Sequence, residues 1–480
     1  MGEEVEEALD AEHGADEHAE AGAHGEGEEH GEEHGPPPPL FLVIPFAALL
    51  LMIATGPLFY PHHWHHHYPK YAVALGLIVS VYYLLILSTA VPILHAAQEY
   101  ISFIALLASL FVASGCILIK TDFAGTPRAN SLLLLIGAVI SNVIGTTGAS
   151  MLLIRPYMRL NAGRIKAYHI IFFIFVVSNV GGALTPIGDP PLFLGFLRGV
   201  PFFWTVAHIW YIWIPTVLVL IGIFYLVDSR NKLESNRTVL EASGIDVDPG
   251  EGEGSVAPVA ATHTTSHIAI EGKRGFLWLA IVIGAVFIDP NVITALAGTP
   301  LDFVGTYHLP FGIREIIMLG VCFAAYKTAE PHVLRGNEFN FEPIREVAWL
   351  FVGIFLTMQP ALELIRLFAQ ENAEALGVTT FYFGTGMLSG VLDNAPTYVS
   401  FLSAAMGKFG LDVNQSTQVL AFASDPSAAT GFYLQAISVA AVFFGALTYI
   451  GNGPNFMVKA IAESAGVQTP SFVAYVVKYA

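Results

Sequence analysis

The chain has 480 residues, of which 54% are hydrophobic and only 12% charged. A soluble protein carries about 25% charged residues, so this composition excludes a water-soluble multi-domain enzyme. Residues 1–39 hold 14 acidic residues and no Lys or Arg, which accounts for most of the net charge of −18. No basic patch suggests a nucleic-acid partner. The 45 Gly, 28 Pro and 34 Phe fit a polytopic helical membrane protein, where broken helices and close helix contacts use Gly and Pro.

In chain order, residues 1–39 read as a disordered, acidic, His-rich tail ending in Pro36-Pro37-Pro38-Pro39. Its acidic start differs from the basic start of a secretory signal peptide. Apolar spans follow at 40–59, 69–88, 98–119, 205–227, 275–297, 311–329 and 346–369. Each is close to the roughly 20 residues that cross about 30 Å of hydrocarbon. Two longer spans, 167–198 and 432–466, contain internal breaks. The expected division is N-terminal transmembrane helices over 40–97, a first transport repeat over 98–227, a polar linker over 228–274 and a second repeat over 275–480.

The repeat rests on identity. Gly182-Ala-Leu-Thr-Pro-Ile-Gly-Asp-Pro-Pro-Leu-Phe193 aligns without gaps to Gly445-Ala-Leu-Thr-Tyr-Ile-Gly-Asn-Gly-Pro-Asn-Phe456, with eight of twelve positions identical. Upstream, Val139-Ile-Ser-Asn142 echoes Val391-Leu-Asp-Asn394. The segments 131–154 and 382–408 each carry two apolar arms around a polar tip, at Ser141-Asn142 and Asp393-Asn394. Neither arm can span, so both segments read as re-entrant hairpins.

Charge orients them. The loop 155–166 holds Arg155, Arg159, Arg164 and Lys166 without an acid, and Lys120 and Arg128 precede the first hairpin. Both its flanks, and the linker with Arg230, Lys232, Lys273 and Arg274, therefore read as cytoplasmic. Three crossings later the second hairpin enters from outside. The expected fold is an all-α polytopic membrane protein of two inverted repeats, each with a re-entrant hairpin and a broken transmembrane helix. That layout places a midplane site between the halves.

Two acids occupy these special places: Asp189 in a break and Asp393 at a hairpin tip. A carboxylate at membrane depth costs at least about 2.5–3.5 kcal/mol unless compensated, which marks it as a functional candidate. Such a group can hold either a proton or Na⁺. Each acid also has a second reading, as the N-cap of a half-helix. The neutral oxygens expected beside them come from Ser141, Asn142, Thr146, Thr147, Asn179, Thr185, Asn394, Thr397, Asn452 and Asn455. Interhelical hydrogen bonding is the other use for these side chains.

His62, His63, His65, His66 and His67 could bind a metal weakly, buffer protons or form a polar interfacial loop, and the tail residues His13, His18, His24, His30 and His34 could bind zinc or stay solvated. Glu363, His169 and Asp289 are candidate proton relays or helix-end residues. Cys116 and Cys322 read as small core residues, and no nucleotide motif or cofactor motif is present in the sequence, so an ion gradient would have to drive transport.

Several blocks resemble the NhaD-type sodium/proton antiporters of the ion transporter superfamily, which also contains citrate, dicarboxylate and arsenite carriers. They are Ser141–Pro156, Ser178–Pro191, Pro310-Phe-Gly-Ile-Arg-Glu315, Glu346–Met358 and Leu392-Asp-Asn-Ala-Pro-Thr397, within a likeness over 40–480. The resemblance implies a scaffold and a mobile transport domain, a homodimer, and export of Na⁺ or Li⁺ against entering protons across a bacterial cytoplasmic membrane. It places Asp189, Asn394 and Asp393 in the ion site, with the Ser141-Asn142 tip beside them. It also implies a further crossing where Pro470–Ala480 stops, so the last helix is expected to be truncated. Two other functions fit the residues: a sodium-coupled di- or tricarboxylate symporter on the same fold, and a His-rich membrane metal-binding or sensing protein.

Overall fold

The computed structural model describes residues 37–121, 125–231, 268–290, 292–424 and 429–480. The acidic tail with its five histidines, and the linker core 232–267, lie outside the described residues. The helices form one unit over Pro38–Ala480. Among the described residues, eight helices are long and apolar enough to cross a membrane by length and composition, and Arg274–Val286 is a shorter apolar helix.

The first helices are α1 (Val43–Phe59), α2 (Pro61–Leu85) and α3 (Val91–Gly115). A strand β1 (Leu118–Thr121) then leads to α4 (Pro127–Leu160), α5 (Ala167–Val176), α6 (Pro190–Arg198) and α7 (Trp204–Asp228). After β2 (Ile268–Glu271) come α8 (Arg274–Val286), α9 (Phe303–Tyr307), α10 (Ile313–Thr328), α11 (Pro331–Gly336) and α12 (Glu342–Glu371). The chain ends with α13 (Val378–Val391), α14 (Asn394–Lys408), α15 (Ser416–Ser424), α16 (Thr430–Phe444), α17 (Gly453–Ser464) and α18 (Phe472–Lys478). Pro at the first turn starts α2, α3, α4, α6, α11, α12 and α17, where its missing N–H leaves no orphan donor.

α4 is not a straight helix. Gly145 takes φ 77 and ψ 155 in its middle, a conformation essentially reserved for Gly. The chain reverses there. A Cβ on Gly137 would lie 3.3 Å from the Leu153 side chain. The side-chain amides of Asn130 and Asn161, at opposite ends of α4, exchange two hydrogen bonds of 2.8 Å. A straight helix would hold those ends tens of ångströms apart. The reversal falls at Gly145, a few residues beyond the Ser141-Asn142 tip expected from the sequence. α13 and α14 make the second reversal, at Leu392-Asp393, and the Phe381 and Phe401 rings meet 6.2 Å apart across it.

Polar contacts gather the foot of the first hairpin with many other segments at one end of the helices. Asp228, fully buried at the end of α7, accepts from Arg164 at 2.6 Å, Tyr168 at 2.6 Å and Asn130 at 2.9 Å. β1 pairs antiparallel with β2, and Lys120 meets Glu271 at 2.7 Å. That ammonium, with His332 at 3.0 Å, holds the Glu271 carboxyl below its ordinary range. Arg159 reaches the Gly336 carbonyl at 3.0 Å, and His65 stands 3.6 Å from Glu342. We call this end the basic face.

α12 starts at the basic face and rises about 45 Å over its 30 residues. The second hairpin begins just beyond its far end, and the Lys408 ammonium at the other foot of that hairpin bonds the Ala373 carbonyl. The first hairpin therefore opens on the basic face and the second on the far face.

Gly145→Ala would force a Cβ into a backbone conformation costing about 1–3 kcal/mol. The expected outcome is a lower melting temperature and a lower folded yield for the purified protein in detergent, read by thermal unfolding and gel filtration.

Candidate functional site

The two breaks are built alike. α5 gives way to a 3₁₀ turn at Val180–Leu184 and α16 to one at Gly445–Leu447. The next residue is extended in both, Thr185 at φ −136, ψ 154 and Thr448 at φ −141, ψ 169. Each Thr hydroxyl then accepts the N–H of the glycine three residues on, Gly188 or Gly451, at 3.1 Å. Those glycines lie against the backbone of Gly182 and Gly445, whose carbonyls a Cβ would overlap. The Gly, Thr and Gly identities shared by the two motifs are thus backbone requirements. Asp189 and Asn452 follow in matching extended conformations, at the N-caps of α6 and α17.

A hairpin tip docks on each break. The Thr146 N–H donates to the Gly188 carbonyl at 2.7 Å, and the Asn394 N–H to the Gly451 carbonyl at 3.1 Å. Thr146 and Asn394 are therefore counterparts, which differs from the Asn142–Asn394 pairing suggested by sequence. Behind the tips, Ser141 bonds the Val177 carbonyl at 2.8 Å and Ser389 the Ala441 carbonyl at 2.6 Å. By the same register Asp393 matches Gly145.

Four side chains meet at the centre. Asp189 is 1% exposed. Its Oδ1 accepts from Thr146 Oγ1 at 2.8 Å and Asn452 Nδ2 at 2.9 Å, and its Oδ2 accepts from Asn394 Nδ2 at 2.8 Å. The donors come from the first hairpin, the second break and the second hairpin, and none carries a charge. Hydrogen bonds to a charged group contribute about 1.5–3 kcal/mol each, which offsets a large part of the desolvation of an ionised carboxylate. The amide oxygens of Asn394 and Asn452 are buried beside it without a hydrogen-bond partner.

A second layer supports this centre. Asn179 donates to Asn455 Oδ1 at 2.7 Å and to the Ile174 carbonyl at 2.9 Å. Asn455 donates to the carbonyls of Gly445 and Thr448, at 2.8 and 2.9 Å, freed by the second break. Asn452 also lies 3.1 Å from the Ser178 carbonyl. A cavity of about 20 Å³ adjoins Asp189, walled by Phe103, Leu107 and Leu110 of α3, by Thr147 and by Phe193. That is room for a single water-sized occupant.

The remaining expected residues divide by role. Asn142 and Thr185 clamp the first break: Asn142 Oδ1 accepts the Leu184 N–H at 2.8 Å, and Thr185 Oγ1 donates to the Asn142 carbonyl at 2.6 Å. They do not reach the carboxylate. Asp393 is half-buried, and its Oδ1 accepts the Ala395 N–H at 3.0 Å as the cap of α14. Thr397 bonds the Asp393 carbonyl at 2.8 Å. Glu363 pairs with Arg366 and Asp289 with Arg314, both at 2.6 Å. His169 stands 3.1 Å from Asp228 in the hairpin foot.

The histidines at the start of α2 lie exposed except the half-buried His67, and their rings pair, His62 with His66 at 4.8 Å and His63 with His67 at 4.4 Å. His63 also meets the Tyr71 hydroxyl at 2.8 Å. Among the described residues no group of three or more His, Cys, Asp or Glu could hold a metal ion. Sequence reading missed Ser178, Gly145 and the α3 wall. An arrangement of apolar residues at helical spacing carries no signal that separates a cavity wall from ordinary core.

Comparison with known proteins extends this picture. An uncharacterized transporter of Mycobacterium tuberculosis and one of Mycobacterium bovis are each 24% identical to the chain over 347 residues, which is 71% of this chain and 71% of each of theirs. The family model CitMHS_2, described as "Putative citrate transport", matches residues 37–480. That span takes in every helix that meets at Asp189, and the chain belongs to this family of membrane transporters.

Proposed function

We propose that the protein is a secondary Na⁺(Li⁺)/H⁺ antiporter in which Asp189 holds either the cation or the proton. One observation carries this reading: a single buried carboxylate collects neutral donors from two hairpin tips and a second break, while two amide oxygens beside it are left unpartnered. Hard alkali cations take oxygen ligands of this kind. An amide that turns its N–H toward a bare carboxylate can rotate and offer its oxygen to a cation bound there. The ligands would be Asp189, Asn394, Asn452 and Thr146, with Asn179 and Asn455 orienting the amides.

The opposed hairpins support a pseudo-symmetric carrier with alternating access to the site. The basic face would be cytoplasmic, in the cytoplasmic membrane of a bacterium, and the protein would work as a homodimer. Citrate transport, favoured by the family description, is the second reading. A substrate with several carboxylates would meet the charge of Asp189, and all three donors at that group are neutral. A sodium-coupled symporter would need a cationic or donor-rich anion pocket beside it.

Inside-out vesicles with an acid-quenched dye separate the two. Dequenching on addition of Na⁺ or Li⁺ supports exchange. Silence, with gradient-driven uptake of labelled citrate or succinate instead, supports symport. Competition at one carboxylate further requires that the apparent KM for Na⁺ rise as pH falls through the working range while the maximal rate is unchanged.

Asp189→Asn is expected to abolish exchange with the fold intact, because no group remains that can exchange its proton for a cation. Asn452→Ala removes one donor and one ligand oxygen, and is expected to weaken Na⁺ affinity at least about tenfold, in line with 1.5–3 kcal/mol for a hydrogen bond to a charged group. Asp393 separates capping from ion carriage. Asn caps a helix about as well as Asp, whereas Ala costs about 0.5–2 kcal/mol. If the cap is the whole role, Asp393→Asn keeps exchange and stability while Asp393→Ala lowers the melting temperature. Loss of exchange in a stable Asp393→Asn variant would make Asp393 a second carrier group.

A further inference from the structure

The cavity at Asp189 lies on a seam between α3 and α6. On α3 the wall residues Phe103, Leu107 and Leu110 recur at helical spacing. The next position of the same stripe, four residues before Phe103, is Glu99. On α6 Phe193, one turn beyond Asp189, lines the cavity, and the helix ends at Arg198. Glu99 and Arg198 meet at 2.8 Å, with side chains only 15% and 3% exposed. Arg198 also donates to Asn414 at 2.9 Å, in the segment between α14 and α15.

This ion pair stands on the far-face side of the cavity. α3 ends at the basic face, where Asn337 bonds the Gly115 carbonyl at 2.9 Å, so Glu99 lies about 24 Å back along the helix. α6 leads away from Asp189 to the start of α7, whose other end is Asp228 in the hairpin foot.

The pair also joins a helix that walls the cavity to the helix that starts at the carboxylate. α3 packs against α10, α12 and α8, none of which reaches the carboxylate, and against α4, which brings Thr146 to it. α6 begins at Asp189 itself. An ion pair that only held the fold together could be replaced by apolar packing at little or no cost. Here the charges join the two helices that carry the Phe103 and Phe193 walls of the cavity, on its far-face side.

We propose that the α3–α6 seam is the access route to Asp189 from the far face, and that the Glu99–Arg198 pair is the latch that closes it. The pair holds α3 against α6 when the site is shut. Its separation lets the two helices part and admits water and a small cation to the cavity. This rests on Asp189 being the ion site only for what passes through, since the route itself can be tested without transport.

The test is thiol accessibility. Thr147→Cys, in a chain whose Cys116 and Cys322 are replaced by Ser, puts a thiol of similar size in the cavity wall. The protein is reconstituted in vesicles of known orientation and treated with a membrane-impermeant methanethiosulfonate. In the parent, labelling from the far-face side is slow. Glu99→Gln combined with Arg198→Gln removes both charges without stranding either one, and is expected to raise that rate at least fivefold while labelling from the basic-face side stays unchanged. Glu99→Asp, which shortens the acid by one methylene, should give a smaller increase of the same sidedness. Variants are compared only after gel filtration and thermal unfolding show them folded. Equal rates in parent and folded variants, or a rise confined to the basic face, overturns the latch. A separate arm adds Na⁺: protection of the thiol by Na⁺ supports the ion site, and its absence counts against that site without touching the latch.

Discussion

A carboxylate sealed inside an apolar helical assembly is costly unless donors meet it, and the arrangement around Asp189 answers that constraint. One break supplies the acid. The second break supplies Asn452, and the two hairpin tips supply Thr146 and Asn394. All three donors are side chains, and each comes from a different element. The broken helices and reversed hairpins bring those elements to one point. Each interruption ends a helix inside the assembly, and each exposed end finds its partner on another interrupted element. Thr146 and Asn394 show the coupling, since each bonds a break carbonyl through its backbone and the carboxylate through its side chain.

The near-symmetry of the site does not extend to charge. Asp189 and Asn452 share a position in the repeat, and so do Thr146 and Asn394, yet only one of the four is ionisable. Two carboxylates at the matching positions would repel each other within hydrogen-bond range, and one would stay protonated. With Asn on the second side, the amide complements the charge on the first. The pairing also explains the orphaned oxygens: an amide that turns its N–H toward an anion must turn its oxygen away.

Much of this was legible in the sequence, and the residues show why. The breaks could be read because Gly, Thr and Gly recur at fixed spacing, and each performs a backbone task that few other residues can perform. The hairpins could be read because their arms are too short to span. The register between hairpins could not. Asn142 and Asn394 invite alignment because both end a short apolar-polar motif, but the reversal is made by different chemistry on the two sides. Gly145 turns the first hairpin with a positive φ, whereas Asp393 turns the second as a cap in extended conformation. Residues that solve one geometric problem in two ways leave no identity to align.

The same reasoning separates Asp393 from Asp189. Both are acids at interruptions of apolar segments, and sequence reading places them together. What divides them is where their oxygens point. The Asp393 carboxylate turns back to the first turn of its own helix, where the helix dipole and a free N–H favour a negative charge locally. The Asp189 carboxylate, although it too starts a helix, accepts from side chains of three other elements. A local cap stays satisfied however the surrounding elements move. A carboxylate held across elements gains or loses donors whenever one of them shifts, so under the proposed antiport its preference for a proton or a cation would be tied to conformation. That tie is what coupled exchange requires, since a group whose affinities were the same in both access states could equilibrate with each side but could not link one ion's movement to the other's.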